Sequence, residues 1–392
     1  MTFPKRFSHL PPYAFPRLRS LLDAHAPGGE PLHMTIGEPR HPFPGWVGDV
    51  MAQHAGDFGK YPPNDGTPEL RVAIAGYLQR RYGVTVGDDR IIPLNGTREG
   101  LFNTLLALCP EEKRGQRPVV LIPNPFYQVY GVAALAAGAE PVYVPATAGS
   151  GFLPDYTALA PEVLDRVAVA YLCSPSNPQG AVADNGYWTS LIELAETHDF
   201  KIFADECYCE IYRDAPAPGL LQIAQAQGGD PERAVVFHSL SKRSNLPGLR
   251  SGFVAGGRQS IERVRHLRAY AGAPQPLPVQ RVAEHAWADD AHVEDNRALY
   301  RRKYAVADDV FAGLPEYTPP EAGFFLWLPV ADSEAAALRL WRETGVRVLP
   351  GRYFSRVVNG EDPGAGYVRV ALVAAEDEVR RGLTLIRDCL YQ

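Results

Sequence analysis

The sequence predicts an α/β protein, with a large, doubly wound, mainly parallel sheet and a smaller α+β unit at its C-terminal end. Three observations carry that expectation. Short apolar runs rich in β-branched residues alternate with helical stretches along most of the chain. Several of these runs are continuously apolar, as strands covered by helices on both faces are, and do not show the alternation of a half-exposed sheet. After Val279 the rhythm changes to long helices and a few alternating strands. At 392 residues the chain is also too long for one ordinary core. The expected organisation is an N-terminal arm over residues 1–45 that joins the small domain, a large domain over 46–290 and a small domain over 291–392.

In order, residues 1 to about 45 are rich in proline and aromatics and read as an arm with a short helix from Phe15 to His25. Pro68 to Tyr82 predicts a helix with Leu70, Ile74, Tyr77 and Leu78 on one apolar face. Strands are expected at Val119 to Ile122, Pro141 to Val144, Val167 to Cys173, Lys201 to Ala204, Ala234 to His238 and Gly252 to Ala255. Helices such as Tyr187 to His198 fall between them. A long helical region should run from Val279 to about Leu314. Strands at Phe324 to Pro329, Val346 to Leu349 and Tyr367 to Val373 follow, with helices at Ser333 to Thr344 and Glu376 to Leu390. No internal repeat or low-complexity tract interrupts the pattern.

Composition narrows the function. Hydrophobic residues make up 46% and charged residues 21%, the balance of an ordinary globular enzyme. The formal net charge of -6 argues against binding to nucleic acid or an anionic membrane. No apolar run is long enough to span a bilayer, and Met1 to Leu10 lacks the apolar core of a signal peptide. Cys109, Cys173, Cys207, Cys209 and Cys389 have no metal-ligand spacing and read as free thiols of a reducing cytoplasm. The ten histidines are scattered, so no zinc site is expected. The H-E-x-x-H, Walker, G-x-S-x-G and G-x-G-x-x-G motifs are absent. Asn95-Gly96-Thr97 matches a glycosylation sequon only formally.

In open α/β sheets ligands bind at the carboxyl ends of strands, so the residues just past each predicted strand are the candidates for chemistry. Past Ala234 to His238 come Ser239, Ser241, Lys242 and, further on, Arg250. Of six lysines (Lys5, Lys60, Lys113, Lys201, Lys242 and Lys303), only Lys242 sits at a strand end among hydroxyls. Neighbouring cations and partial burial would lower its pKa and make it a nucleophile. Ser239, Ser241 and Arg250 suit a phosphate; a solvated Ser/Lys/Arg loop is the alternative. Past Lys201 to Ala204 come Asp205 and Tyr208, where the acid could cap a helix, bind a metal or pair with a cation. Past Val167 to Cys173, Asn177 lies in a loop rigid with proline, or in an ordinary turn. Gly96, Thr97 and Arg98 open a helical stretch, a place for either a phosphate or an N-cap. Tyr127, past Val119 to Ile122, could stack on a flat heterocycle or belong to the core. Arg369 lies inside an alternating strand and needs a partner, which a substrate carboxylate or a buried structural ion pair would supply.

The order and spacing of these segments resemble the class I and II aminotransferases, enzymes of pyridoxal 5'-phosphate (PLP) with that cofactor's type I fold. The likeness runs from Gly37 to the last helix. It implies that Lys242 binds the cofactor's aldehyde covalently and that Asp205 keeps the pyridine nitrogen protonated. It further implies that Tyr127 stacks on the ring, that Asn177 and Tyr208 meet its phenolic oxygen, and that Gly96, Thr97, Arg98, Ser239, Ser241 and Arg250 hold the phosphate. Arg369 and Gly37, with Asn177, would receive the substrate's α-carboxylate. Tyr61, in Lys60-Tyr61-Pro62-Pro63-Asn64-Asp65-Gly66, would cross a homodimer interface to the neighbour's phosphate.

A narrower resemblance, to the N-succinyldiaminopimelate aminotransferases, rests on Ile36-Gly37-Glu38-Pro39-Arg40-His41-Pro42, Asn95-Gly96-Thr97-Arg98-Glu99, Pro123 to Tyr130, His238 to Gly252, Leu349 to Arg356 and Arg369 to Val373. Asp362-Pro363-Gly364 departs from that subfamily's usual Asn-Pro-Gly. The resemblance implies ping-pong transfer between glutamate/2-oxoglutarate and N-succinyl-diaminopimelate/N-succinyl-2-amino-6-oxopimelate in lysine biosynthesis. A class I aminotransferase for aromatic, aspartate-like or LL-diaminopimelate substrates is the alternative, as is a PLP β-lyase. Arg40 and Arg352 are the candidates for distal carboxylates, against plain surface charge; Tyr13 could line the substrate mouth or simply pack.

Overall fold

A computed structural model describes residues 5–8, 10 and 12–392. The central feature is a seven-stranded sheet. In spatial order its strands are Ile91–Leu94, Gly252–Gly256, Ala234–Ser239, Lys201–Asp205, Val167–Cys173, Val119–Asn124 and Glu140–Pro145. Every pair is parallel except the two made by Gly252–Gly256, which runs against both neighbours. The inner strands are buried along their whole length, which is why their sequences are continuously apolar. One core cluster lies on each face: Ile74, Trp188, Phe200 and Trp287 on one, Leu101, Tyr130, Phe203 and Phe237 on the other.

The C-terminal unit is a three-stranded antiparallel sheet in the order Leu349–Pro350, Tyr367–Ala371, Phe325–Pro329. It packs with helices Ala291–Val310, Ser333–Thr344 and Glu376–Leu390 around Tyr304, Leu340, Leu383 and Ile386. The N-terminal segment is stitched into this unit. Leu32–His33 pairs in parallel with Val346–Arg347, and Met34 accepts from the amide of Ala371.

The six strands expected in the large sheet are all present, and Pro68–Tyr82, Ser333–Thr344 and Glu376–Leu390 keep the expected bounds. Three expectations need correction, and one strand was missed. The arm helix is Ala14–Leu22, not Phe15 to His25. The expected strand from Val346 to Leu349 is two short ones, because the chain changes partner at Val348 from Leu32–His33 to Tyr367–Ala371. The long region after Val279 is broken at Asp289 and Asp290 into Leu277–Ala288 and Ala291–Val310. Ile91–Leu94 was not expected as a strand because Pro93 interrupts it; it is an edge strand, where a missing N–H is tolerated.

The two antiparallel pairings gather the site. Leu94 and Ser239 both lie opposite Gly252. The exit of one strand, the entry of the next and the exit of the third therefore meet at one edge, and Gly96, Arg250 and Ser241 follow or precede that point by two residues. In the parallel half, Cys173 lies beside Asp205 and Asp205 beside Phe237, so the loops bearing Asn177, Tyr208 and Lys242 leave the same edge.

Candidate active site

A cavity of about 280 Å³ opens at this edge, between the large sheet and the small one. Its walls include Gly37, Thr97, Arg98, Tyr127, Asn177, Asp205, Tyr208, Ser239, Ser241, Lys242, Arg250 and Arg369, with Tyr13 at the mouth. Gly96 stands directly behind. Its φ of 82° is in the left-handed region, and a Cβ there would collide with the Arg250 guanidinium.

Lys242 ends the short helix Leu240–Arg243 just past the Ala234–Ser239 strand. Its Nζ donates to the carbonyl of Gly37 and lies 5.2 Å from the centre of the Phe324 ring. Burial, with the charges of Arg369 and Arg250, pulls its pKa down to about 8, against the opposing pull of Cys207 and Glu38. A lysine in that range has a usable share of free amine near neutrality.

Asp205 ends its strand buried. Oδ2 accepts a 2.7 Å hydrogen bond from Tyr130 and Oδ1 one from the amide of Cys207. Burial raises its pKa, and those hydrogen bonds oppose the rise. Both donors are neutral and, although the charge of His238 also opposes the rise, no cation pairs with Asp205 among the described residues, so this buried carboxylate leaves room for a cation on the open side.

Arg369 is the converse. It is buried in the Tyr367–Ala371 strand, with its guanidinium between Phe325 (4.1 Å) and Phe354 (4.4 Å). Nη1 donates to Asn177 Oδ1 at 3.0 Å and Nη2 to the Thr35 carbonyl at 2.7 Å, while Nε has no partner among the described residues. Burial lowers its pKa to about 10. The structural ion pair left open by the sequence is therefore not what surrounds it: its partners are neutral, and a carboxylate would complete it.

The remaining candidates divide. Tyr127 accepts from Arg98 Nε at 2.9 Å and meets Tyr130 edge-on, and Tyr130 in turn stacks on Tyr171. Tyr208 is buried edge-on against Phe324 and Phe325. The amides of Thr97 and Arg98 open the helix Thr97–Leu108, with no capping side chain from Gly96 across them. Arg250 is held by the carbonyls of Pro247 and Asn95. Tyr61 does not reach the cavity and is fully exposed. Arg40 is exposed outside the cavity. Arg352 is paired with Asp332 and Glu334 at 3.2 Å each, a structural commitment the sequence did not reveal.

Sequence reasoning missed Tyr130, Cys207, Phe325 and Phe354 in these walls. Phe325 was recoverable, because Arg369 pairs opposite Trp327 and strand alternation puts Phe325 on the same face. Phe354, brought in by a loop, carried no such signal. All five cysteines are free. Among the described residues, no group of His, Cys, Asp and Glu is placed to hold a metal, and no helix is long and apolar enough to cross a membrane.

The model of aminotransferase class I and II matches residues 30–385. The chain belongs to that family. An LL-diaminopimelate aminotransferase of Dehalococcoides mccartyi is 30% identical over 99% of both chains. Among solved structures, an aminotransferase from Neisseria meningitidis is 38% identical with a TM-score of 0.94, covering 98% of this chain and 99% of its own. A probable N-succinyldiaminopimelate aminotransferase from Thermus thermophilus is 28% identical with a TM-score of 0.83, covering 96% and 98%. The fold is thus the type I fold of PLP enzymes, and aminotransferases of this family use pyridoxal 5'-phosphate. The cavity fits that group: it offers a half-buried amine for an aldehyde, a buried carboxylate with no ion-pair partner among the described residues for a pyridinium, and a cradle of Gly96 and Arg250 for a phosphate.

Proposed function

We propose that this aminotransferase moves an amino group between glutamate/2-oxoglutarate and a substrate of the diaminopimelate class, in the cytoplasm, as a step of lysine biosynthesis. The observation that carries the reading is a cavity with two arginines left for substrate, Arg369 in its buried wall and Arg98 at its mouth, with Lys242 also lining it. Arg369 is preset for an α-carboxylate. The Arg98 side chain meets the neutral hydroxyls of Tyr127 and Tyr13, so its backbone amide belongs to the phosphate end while its guanidinium, with no acid beside it among the described residues, has N–H donors left for a distal carboxylate.

Gly96, Thr97, Ser239, Ser241 and Arg250 would hold the cofactor's phosphate, Tyr127 its ring face, Asn177 and Tyr208 its phenolic oxygen. When bound, PLP supplies an electron sink for the carbanion formed at the substrate Cα. Asp205 holds the proton on the ring nitrogen that makes that sink effective. Arg369 and Gly37 orient the α-carboxylate. Lys242 takes the Cα proton and returns it on the far side of the transfer, a task for which a pKa near 8 is well matched. Buried Tyr208 and Phe325, with half-buried Phe354, keep the wall around that proton dry. Tyr61, fully exposed, would reach the phosphate of a second copy in a homodimer.

Within the substrate class, the named relative at 30% identity favours LL-diaminopimelate. N-succinyl-diaminopimelate is the second reading, favoured by the excess of cations over the single lining acid Asp205. A half-reaction screen decides between them. PLP-loaded protein is mixed singly with L-glutamate, LL-diaminopimelate, N-succinyl-LL-diaminopimelate, L-aspartate and L-phenylalanine, and conversion to the pyridoxamine form is followed by absorbance. Fast conversion by glutamate and one diaminopimelate compound supports the reading. Conversion by phenylalanine or aspartate alone overturns it.

A further inference from the structure

Lys242 is held at both ends by the same region of the chain. Its Nζ donates to the carbonyl of Gly37. Its own carbonyl accepts a 3.2 Å hydrogen bond from Asn296 Nδ2, on the helix Ala291–Val310 of the C-terminal unit. Asn296 is buried, and its Oδ1 lies 3.0 Å from His41 Nδ1 and 3.0 Å from Asn245 Nδ2. An amide oxygen can only accept, so His41 carries its proton on Nδ1. His41 Nε2 is buried and unpartnered, which suits a neutral ring. Burial, reinforced by the charges of Lys303 and Arg302, holds the His41 pKa at about 4 against the Asn296 bond, so that proton stays single across the working range. Asn245, in a left-handed backbone conformation, also donates to the carbonyl of Pro42 at 3.3 Å.

The aromatic side of the arrangement closes the loop. The His41 ring lies 4.6 Å from that of Tyr300, one helical turn past Asn296. Tyr300 stacks on Phe324, and Phe324 lies beside the Lys242 amine. The segment Gly37 to Pro42 thus touches the amine directly and the lysine main chain through one asparagine.

We propose that Asn296, oriented by His41 and Asn245, is the positioning residue for Lys242, fixing its main chain while Gly37 fixes its amine. This rests on the reading that Lys242 binds the cofactor. A short helix of four residues has little rigidity of its own. An amine that must leave and return to one point needs its anchor set from outside, and a displacement of about 1 Å in such a group can cost about 100-fold in rate.

The test uses the cofactor-free protein and two readouts. The first is the rate at which it captures PLP, followed by the visible absorbance of the lysine-bound cofactor at pH 7. The second is the affinity for pyridoxamine 5'-phosphate, which fills the same cradle without bonding to the lysine. Asn296→Ala is expected to slow capture by about ten-fold or more while pyridoxamine 5'-phosphate affinity stays within about two-fold. His41→Phe, which keeps the ring against Tyr300 but removes the donor, should slow capture by about three-fold. Where the alanine variant does not fold, Asn296→Ser carries the same expectation. Capture at the parent rate overturns the proposal. So does a parallel loss of pyridoxamine 5'-phosphate binding, which would make Asn296 a structural residue. If the parent itself captures no PLP on Lys242, the underlying reading fails instead; neither readout depends on the amino-acid substrate.

Discussion

At the inner end of the cavity, Asp205 and Ser239 are the last residues of buried strands and Lys242 follows at once. At the mouth, Arg98 and Tyr13 are exposed, and the Arg98 side chain meets the hydroxyls of Tyr127 and Tyr13. Asp205 and Ser239 are placed by sheet register and cannot move without moving the core, and Lys242 is fixed by hydrogen bonds at its main chain and its amine. The outer ones are placed by side-chain contacts in water, where each is worth little. The difference teaches where chemistry and selectivity are stored. On the proposed function, the steps common to the family sit in the rigid part, and the choice of distal group sits in the part that can vary at small cost to the fold.

Substitutions sharpen this contrast, and the largest effects belong to the inner end. Lys242→Ala should lower the transfer rate by about 10⁴-fold and abolish the visible absorbance of the lysine-bound cofactor, measured by single-turnover kinetics and spectroscopy. Asp205→Asn should lower kcat by about 10³-fold with PLP still bound, because a neutral amide no longer holds the ring proton. Arg369→Lys should raise KM for every amino acid by about 100-fold, since a point charge cannot replace the bidentate fork in its aromatic slot. At the mouth, Arg98→Leu should raise KM by only about ten-fold, for diaminopimelate-class substrates, and leave L-alanine unchanged. An equal loss with L-alanine would put Arg98 in the cofactor site and break the comparison.

The pH dependence follows from the lowered pKa of Lys242. Below about 8 its amine is mostly protonated, so PLP capture by the cofactor-free protein should rise about ten-fold per pH unit and level off above that value. A plateau reached only near the ordinary lysine range would show that burial does not act on this group.

The same division explains what was legible in the sequence. The meeting of Lys242, Asp205 and Asn177 was readable because strand ends can be located from apolar runs, and parallel topology sends those ends to one edge; their roles came only from the family resemblance. Arg369 was readable because a charge in an alternating strand demands a partner. Ile91–Leu94 escaped because Pro93 hides an edge strand, and Val348 hid a change of partner that only the three-dimensional pairing reveals. Phe354 and the pairing of Arg352 with Asp332 and Glu334 escaped for a common reason. They depend on where a loop of one unit lands on another, which no local pattern encodes. His41 stood in one of the segments that carry the narrower resemblance, yet its proposed role depends on Asn296, 255 residues away.

The most direct test of the account is the identity of the residue that binds the cofactor. Protein loaded with PLP is reduced with borohydride, digested and mapped by mass spectrometry. The account predicts a pyridoxyl adduct on Lys242 and on none of the other five lysines. An adduct on Lys303 or Lys201, both also buried enough to have lowered pKa values, or no adduct at all, would contradict it.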